Sequence, residues 1–183
     1  MIEIKVQNIV ASTTFAEKLD LDMIAQSLEE AEYEPEQFPG LVYRLSDPKT
    51  ATLLFRSGAA NCTGAKTISD VKTNIKIISE KLEKIGVKVY KDHDIVIQNI
   101  VATSDLGGEL NLSEVAVALG LENVEYEPEQ FPGLVYRLAE PKVALLLFGS
   151  GKVVCAGARN MDDISIAVEK VSKELISLGF LKK

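Results

Sequence analysis

Four phenylalanines are spaced so that they could form two equivalent aromatic pairs. Phe38 lies 17 residues before Phe55, and Phe131 lies 17 residues before Phe148. Residues two apart in a strand share a face, so Phe55 should point the same way as Leu53. If helices cover the other face of such a sheet, these apolar side chains are exposed, and a patch of that kind usually marks a binding surface. The chemistry that this spacing predicts is non-covalent recognition.

The residue types that usually carry catalysis have no matched partners in this sequence. His93 is the only histidine, and it lies in the segment KVYKDHD (Lys88 to Asp94), which we interpret as a linker. Cys62 and Cys155 alternate with outward positions, so we expect small buried residues there. No phosphate-binding glycine loop, metal-ligand cluster or nucleophile elbow is present in the sequence. We therefore predict no enzyme activity, no cofactor and no metal site.

The elements that position the phenylalanines occur twice. The segment EYEPEQFPGLVYRL spans Glu32 to Leu45 and again Glu125 to Leu138. Upstream, VQNIVAS matches IQNIVAT, and downstream LLFRSGAANCTGAK matches LLFGSGKVVCAGAR. Two residues enter near Gly120 and change the offset between the copies from 91 to 93. Self-similarity over the whole chain predicts two repeats, 1–91 and 92–183.

Each repeat has the same predicted order of elements. Alternating residues predict a first strand, and apolar residues at helical spacing predict a short helix. A loop with two prolines and a glycine follows, then LVYRL and two further strands. A long helix closes the repeat, with Ser69 or Asp162 as the expected N-cap and Gly86 or Gly179 as the stop. Its apolar positions should face the core, and they run from Val71 to Ile85 and from Ile164 to Leu178.

Composition indicates an ordinary globular protein with an acidic balance. The chain has 183 residues and a formal net charge of −7, of which residues 92–183 carry −6 and residues 1–91 carry −1. An acidic chain is unlike a non-specific nucleic-acid binder, which usually has a basic field. Two cysteines argue against a disulfide framework and favour a reducing cell interior. The N-terminal segment starts like a strand, and we expect neither a signal peptide nor a membrane span.

The paired segments QNIVA, YEPEQFPG, LLF-SG and GAK/GAR resemble those of the TATA-box-binding protein family, archaeal type, in order and spacing over nearly the whole chain. The resemblance implies an α+β fold, a saddle in which two pseudo-symmetric repeats form one curved antiparallel sheet with helices on the convex face. It implies a general transcription initiation factor that binds the minor groove of TATA-box DNA and bends it by phenylalanine insertion. Because much of that interface is apolar, the acidic net charge of the chain does not argue against DNA binding.

Carried over by position, the resemblance implies DNA contacts of four kinds. Phenylalanine wedges come from both repeats, and paired asparagines offer amide donors to adenine N3 and thymine O2. Apolar residues line the groove floor, while basic and hydroxyl side chains reach phosphates. The candidate DNA-binding residues are Asn8, Val10, Phe38, Arg44, Leu53, Phe55, Ser57, Asn61, Thr63, Lys66, Asn99, Val101, Phe131, Arg137, Leu146, Phe148, Ser150, Lys152, Val154 and Arg159.

Two positions depart from the family pattern. Asn61 stands where the family usually has valine, and Ala156 stands where it usually has threonine. Thr63 keeps the hydroxyl in the first repeat. We therefore expect a hydroxyl contact to a base in one half only.

The resemblance also implies protein partners. It places transcription factor B on Glu127, Glu129 and Gln130, within an RNA polymerase initiation complex. The loop of the first repeat is identical, so the contacts that distinguish the two ends should lie outside it, on the side with net charge −6. The exposed apolar face could also form a homodimer when free of DNA. The expected location is the cytoplasm of an archaeal cell, on the nucleoid, or the nucleus if the source is eukaryotic.

Two other classes of function compete with this interpretation. A nucleic-acid enzyme that uses the same fold for binding would need a catalytic domain, which we do not find in the sequence. A protein-interaction scaffold without a DNA role would not need four paired phenylalanines beside paired asparagines. Comparing A·T-rich with G·C-rich duplexes in a gel-shift experiment separates the scaffold from the DNA-binding factor.

Overall fold

A computed structural model describes residues 2–182. Nine strands and four helices form within these residues, in the order expected from the repeat. They are β1 (Ile4–Thr14), α1 (Leu21–Ser27), β2 (Leu41–Ser46), β3 (Lys49–Leu54), β4 (Ala59–Ala65), α2 (Ile68–Lys84), β5 (Val96–Asp105), α3 (Leu112–Leu119), β6 (Val124–Glu125), β7 (Leu134–Ala139), β8 (Lys142–Leu147), β9 (Lys152–Ala158) and α4 (Met161–Ser177).

Contacts divide the chain into two compact units. The first comprises Asn8–Gln98, and the second comprises the described residues on either side of it. The start of β1 belongs to the second unit, where Ser104 Oγ donates a hydrogen bond to the Glu3 carbonyl at 2.7 Å. The sequence repeats, 1–91 and 92–183, are defined by duplication rather than by contacts, and their bounds stay a prediction.

The two units have matching antiparallel sheets. The strand order is β2-β3-β4-β1 in the first unit and β5-β9-β8-β7-β6 in the second. Equivalent registers pair Leu53 with Asn61 in one unit and Leu146 with Val154 in the other. In each unit a long helix packs on one sheet face, α2 against β4 and α4 against β8 and β9.

The core lies between each long helix and its sheet. Leu54, Ala60 and Cys62 are buried there in the first unit, whereas Leu53 and the other alternate residues remain partly exposed. Period-two alternation explains this division, because neighbouring strand residues point to opposite faces. The prediction that Cys62 and Cys155 are buried is confirmed. Burial raises the pKa of both thiols to about 11, so they are thiols rather than thiolates at neutral pH.

The predicted N-caps of the long helices were wrong. Thr67, not Ser69, caps α2 by accepting the Asp70 N–H at 3.0 Å. Asn160, not Asp162, caps α4 by accepting the Asp163 N–H at 2.8 Å. In both helices the cap lies two residues earlier than predicted, at the residue whose side chain reaches the N–H three positions on.

The ends of the long helices agree with the sequence, with one exception in the apolar face. Gly86 and Gly179 both have positive φ directly after the C-cap, as expected of helix stops. Leu178 was predicted to face the core, but it is 44% exposed. It is the C-cap residue, so the helical spacing no longer fixes where its side chain points.

The cores of the two units differ in one buried polar cluster. In the first unit Thr50 Oγ1 donates to Asn74 Oδ1 at 2.6 Å, and Asn74 Nδ2 donates to Thr52 Oγ1 at 2.8 Å. All three side chains are buried. The second unit has Val143, Leu145 and Ala167 at the equivalent positions, and these are buried as well. One fold therefore accommodates either a hydrogen-bonded cluster or an apolar one.

This difference predicts the effect of removing Asn74. Replacing it with alanine should lower the free energy of unfolding by about 2–3 kcal/mol, because the buried Thr52 hydroxyl loses its donor and the Thr50 hydroxyl keeps only the Pro48 carbonyl, at 3.3 Å. Adding Thr50→Val and Thr52→Leu, which copies the second unit, should recover much of that loss. Urea unfolding followed by circular dichroism measures both. A single variant as stable as the parent protein would show that the cluster contributes nothing.

Candidate nucleic-acid interface

The open face of each sheet carries the candidate residues, opposite the helix-covered core. In the first unit it presents Leu53 and Phe55, and in the second Leu146 and Phe148, all partly exposed. Val10 and Val101 lie in the first strand of their repeats and are also partly exposed. The positions of Asn61 and Val154 follow from pairing, since each lies opposite the open-face leucine of its unit. The predicted face assignment is therefore consistent with the structure.

Both phenylalanine pairs form with nearly the same geometry. Phe38 and Phe55 have ring centroids 6.0 Å apart at an interplanar angle of 68°. Phe131 and Phe148 have centroids 6.0 Å apart at 71°. These are edge-to-face contacts of the kind that aromatic rings prefer. The loop rings, Phe38 and Phe131, are 40% and 41% exposed although phenylalanine is usually buried.

A glycine beside each pair makes the close approach possible. A Cβ atom on Gly40 would lie 2.7 Å from the Phe38 ring and 3.0 Å from the Phe55 ring. A Cβ atom on Gly133 would lie at the same distances from Phe131 and Phe148. The FPG sequence of the repeated loop therefore supplies both the outer ring and the space that the pair needs.

The paired asparagines are oriented by the backbone next to them. Asn8 Oδ1 accepts the Gly64 N–H at 2.6 Å, and Asn99 Oδ1 accepts the Gly157 N–H at 2.7 Å. Gly64 has a φ of +97°, and the β1–β4 register shifts between Ile9 and Ala11. Because the oxygen faces a donor, the amino group must point the other way. Each asparagine thus offers hydrogen-bond donors from a fixed position.

The two asparagines differ in their second partner. Asn8 Nδ2 donates to Thr63 Oγ1 at 3.2 Å. Ala156 occupies the equivalent position in the second unit and has no hydroxyl, so Asn99 lacks this contact. The two units therefore differ in the hydrogen bonds that their asparagines make within the protein, in addition to the expected difference in their contacts with DNA.

The basic candidates are exposed and weakly held. Arg44 Nε lies 3.8 Å from Glu32 Oε1, and Arg137 Nε lies 3.6 Å from Glu125 Oε1. Exposed ion pairs of this kind contribute little to stability, so either arginine can exchange its carboxylate for another anion. The other basic candidates, Lys66, Lys152 and Arg159, are also exposed.

Two serines occupy matching turns after β3 and β8. Ser57 Oγ accepts the Ala59 N–H at 3.4 Å, and Ser150 Oγ accepts the Lys152 N–H at 3.4 Å. Both serines are exposed. Since each oxygen already accepts from the backbone, its proton is available to donate to an outside acceptor.

Two open-face residues were missed by the sequence reasoning. Val42 pairs with Leu53 and Val135 pairs with Leu146, so both valines belong to the apolar surface. The signal was present in LVYRL, where valine and arginine are two residues apart and share a face. Strand alternation places Val42 on the same face as Arg44, and Val135 on the same face as Arg137.

His93 and the cysteines lie away from this face. The His93 ring packs edge-on against Phe15 with centroids 5.2 Å apart. Its Nε2 lies 3.0 Å from Ser79 Oγ. Within residues 2–182, no group of three or more His, Cys, Asp or Glu side chains is arranged to hold a metal ion. No helix in the same range is both long enough and apolar enough for a membrane crossing.

The arrangement is suited to a particular kind of ligand. Each unit offers an apolar floor, two rings, an oriented amide donor and exposed cations at the margins. Such a surface can take a groove that presents hydrogen-bond acceptors between two rows of negative charge.

Comparison with known proteins agrees with this geometry. The family model described as "Transcription factor TFIID (or TATA-binding protein, TBP)" matches residues 3–85 and 94–178. The TATA-box-binding protein of Thermoplasma volcanium is 64% identical over 179 residues, which are 98% of this chain and 97% of that protein. The TATA-box-binding protein of Archaeoglobus fulgidus is 50% identical and covers 98% of each chain.

A solved structure extends the agreement to the fold. The TBP of Methanococcus jannaschii matches with a TM-score of 0.88 and 52% identity, and the match covers 96% of this chain and 99% of that one. The predicted α+β fold with two repeats is thereby confirmed. With the family model matching both repeats and relatives similar over nearly their full length, this chain belongs to the TATA-binding protein family.

Proposed function

We propose that this protein is a general transcription initiation factor that binds the minor groove of TATA-box DNA and bends it by phenylalanine insertion. The observation that carries the proposal is the pair of matched ring contacts, Phe38–Phe55 and Phe131–Phe148, each with its outer ring exposed. Exposed aromatic rings at equivalent positions in both repeats indicate a surface that a ligand covers.

The physics of the minor groove supports this assignment. TATA-binding proteins, among other minor-groove binders, insert apolar side chains between base steps and so kink the duplex. A ring pushed between two bases replaces part of their lost stacking. Steps such as TA deform at low energy, which favours A·T-rich sites without many base-specific contacts. The apolar residues of the open face fit a groove floor that lacks the guanine amino group.

The asparagines supply the polar part of the recognition. Minor-groove A·T pairs present only the acceptors adenine N3 and thymine O2. The amino groups of Asn8 and Asn99 are donors of the right kind, and their orientation is set by Gly64 and Gly157. Asn8 keeps one N–H to donate beyond its hydrogen bond to Thr63. Phosphate contacts from the exposed basic residues and the two turn serines would then fix the register. All the candidate residues named from the sequence remain part of this proposal.

A gel-shift experiment tests the proposed function. The protein should shift an A·T-rich duplex containing a TATA box and leave a G·C-rich duplex of equal length unshifted at the same concentration. A fluorescence assay with dyes at both duplex ends should report bending on the first duplex. Equal affinity for both duplexes, or binding without bending, would contradict the proposal.

The asymmetry at Thr63 and Ala156 gives a graded prediction. Thr63→Ala should weaken TATA binding, since the hydroxyl both holds Asn8 and faces the proposed groove. Ala156→Thr should tighten binding, because a hydroxyl there could hold Asn99 in the same way. One neutral hydrogen bond is worth about 0.5–1.5 kcal/mol, so each change should alter the Kd by about two- to tenfold. Titration by fluorescence anisotropy measures both, and indifference to both would show that neither position influences recognition.

Recruitment of transcription factor B and RNA polymerase completes the proposed function. The partner candidates Glu127, Glu129 and Gln130 are all exposed in the loop of the second repeat. Carboxylates in an exposed loop suit a partner with a basic surface. Self-association of the apolar face in the absence of DNA stays a prediction, and the proposed site of action is the archaeal nucleoid.

A further inference from the structure

The two repeated loops are alike in structure as well as in sequence. Gln37 and Phe38 donate their N–H groups to the Glu34 carbonyl at 2.9 and 3.0 Å. Gln130 and Phe131 donate to the Glu127 carbonyl, both at 2.9 Å. A partner that binds only one of the two loops must therefore recognise something beside the loop.

The net charges of the two segments that contain the loops do not provide the distinction. Residues 14–43 contain eight acidic side chains and one basic, and the equivalent residues 105–136 contain seven acidic and no basic. Both segments thus have a net charge of −7. The difference between −1 and −6 in the two halves arises elsewhere in the chain, so a basic partner would be attracted to either loop.

Two strongly exposed apolar residues, here called the apolar patch, precede the second loop in the chain and have no apolar equivalents before the first. Val117, on the outer face of α3, and Leu121, just after it, are each 69% exposed, more than any other large hydrophobic residue of the described chain. They lie four residues apart, and β6 and the loop follow directly. Gln26 is the equivalent of Val117 in the first repeat. Leu121 lies where the two additional residues enter, and the matching stretch of the first repeat is Glu29–Glu30.

The first loop has a cation where the second has none. Arg56 Nη2 donates to Asp22 Oδ2 at 3.0 Å and to the Tyr33 hydroxyl at 2.9 Å, next to the first loop. The hydrogen bond to Asp22 raises the pKa of this guanidinium above its already high value. The equivalents of Asp22 and Arg56 in the second repeat are Ser113 and Gly149, so no charge lies beside Tyr126 from these positions.

We propose that the apolar patch Val117–Leu121 is a docking surface for a protein partner whose aliphatic or aromatic side chains are flanked by lysine or arginine. The acidic frame of residues 105–136 attracts the basic part of such a partner. The patch then supplies a contact beside the second loop, and beside the first loop Arg56 neutralises Asp22 and so leaves one carboxylate fewer for the same partner. Discrimination between two competing sites rests on such differences in affinity. This inference rests on the proposed recruitment of a partner to the second loop.

The test uses promoter-bound protein with transcription factor B as the probe. Val117→Gln with Leu121→Gln should leave the shift of a TATA duplex unchanged and weaken the ternary complex at least tenfold. The matched control, Gln26→Ala with Glu29→Ala in the first repeat, should change neither. Thermal unfolding of each free variant checks that it is folded, and both patch residues are exposed enough for polar replacement to be tolerated.

A second variant tests the contribution of charge beside the loop separately. Gly149→Arg, which puts a cation beside the second loop, should weaken the ternary complex in the same direction. A ternary complex of parent affinity from the patch variant would overturn the inference while leaving DNA binding intact. A parent protein that fails to shift the duplex would overturn the proposed function, and the inference with it. If size exclusion showed that the patch variant turns a dimer into a monomer, the occupant would be a second copy of the chain, which also overturns the inference.

Discussion

Replacing Phe131 and Phe148 with alanine should weaken TATA-box binding by about a hundredfold or more and reduce the bend. Unstacking a base step costs a few kcal/mol, and the rings would no longer compensate for it. Phe131 is 41% exposed and its main aromatic contact is Phe148, so the double variant removes a pair rather than a core. We expect the variant to remain folded, with at most a modest decrease in melting temperature.

Fluorescence anisotropy and a bend-sensitive duplex measure the two effects separately. Phe38→Ala with Phe55→Ala should give a loss of similar size, because the first pair has the same geometry as the second. Tyr90→Ala is the matched control, since Tyr90 is an exposed aromatic residue of the linker and lies outside the candidate interface. It should bind as the parent protein does. An unfolded Phe131/Phe148 variant would place these rings in the core and show that the face assignment is wrong.

The sequence predicts which face of the sheet carries the rings, because successive side chains of a strand point to opposite faces. Once LLF and the NCT segment are interpreted as strands, Leu53 and Phe55 must share one side and Cys62 must take the other. The structure agrees at each of these positions. Helix stops at Gly86 and Gly179 were predictable for a similar reason, since positive φ at the end of a helix favours glycine.

The N-caps were harder because several residues near each helix start can cap. Thr67, Ser69 and Asp70 all have suitable side chains within four positions. Which one caps depends on where the first turn packs against the sheet, and hydrophobic spacing fixes a helix start only to within a few residues. The same applies at the C-terminal end, where Leu178 follows the apolar spacing but lies beyond the last turn.

The contacts that give the interface its chemistry are tertiary, and the sequence does not contain them. The hydrogen bond from the Gly64 N–H to Asn8 joins residues 56 apart in sequence, next to a register shift between β1 and β4. The Phe38–Phe55 contact depends on how the loop folds back over the end of β3. Resemblance to a family identified these residues, but only the structure shows that the amide is fixed and that its second partner is present in one unit.

The second large effect concerns the partner loop. Glu127→Lys with Glu129→Lys should abolish the ternary complex with transcription factor B and leave TATA binding nearly unchanged. Both carboxylates are exposed, and the loop is held by hydrogen bonds to the Glu127 carbonyl rather than to its side chain. Charge reversal therefore changes the surface charge that a basic partner contacts without changing the conformation of the loop. Truncation of one partner of a charge pair that is buried and hydrogen-bonded in a complex costs about 2–5 kcal/mol, and charge reversal adds repulsion to that loss.

The identical loop of the first repeat is the control for this experiment. Glu34→Lys with Glu36→Lys makes the same chemical change in the same local geometry, so any general effect of added positive charge appears equally in both variants. We expect the ternary complex of this control to match the parent protein, because the neighbouring surface lacks the apolar patch and carries Arg56. Gel shifts of both variants on promoter DNA, with and without factor B, compare them directly. Equal loss from both variants would mean that the partner binds either loop, and that neither the patch nor Arg56 selects between them.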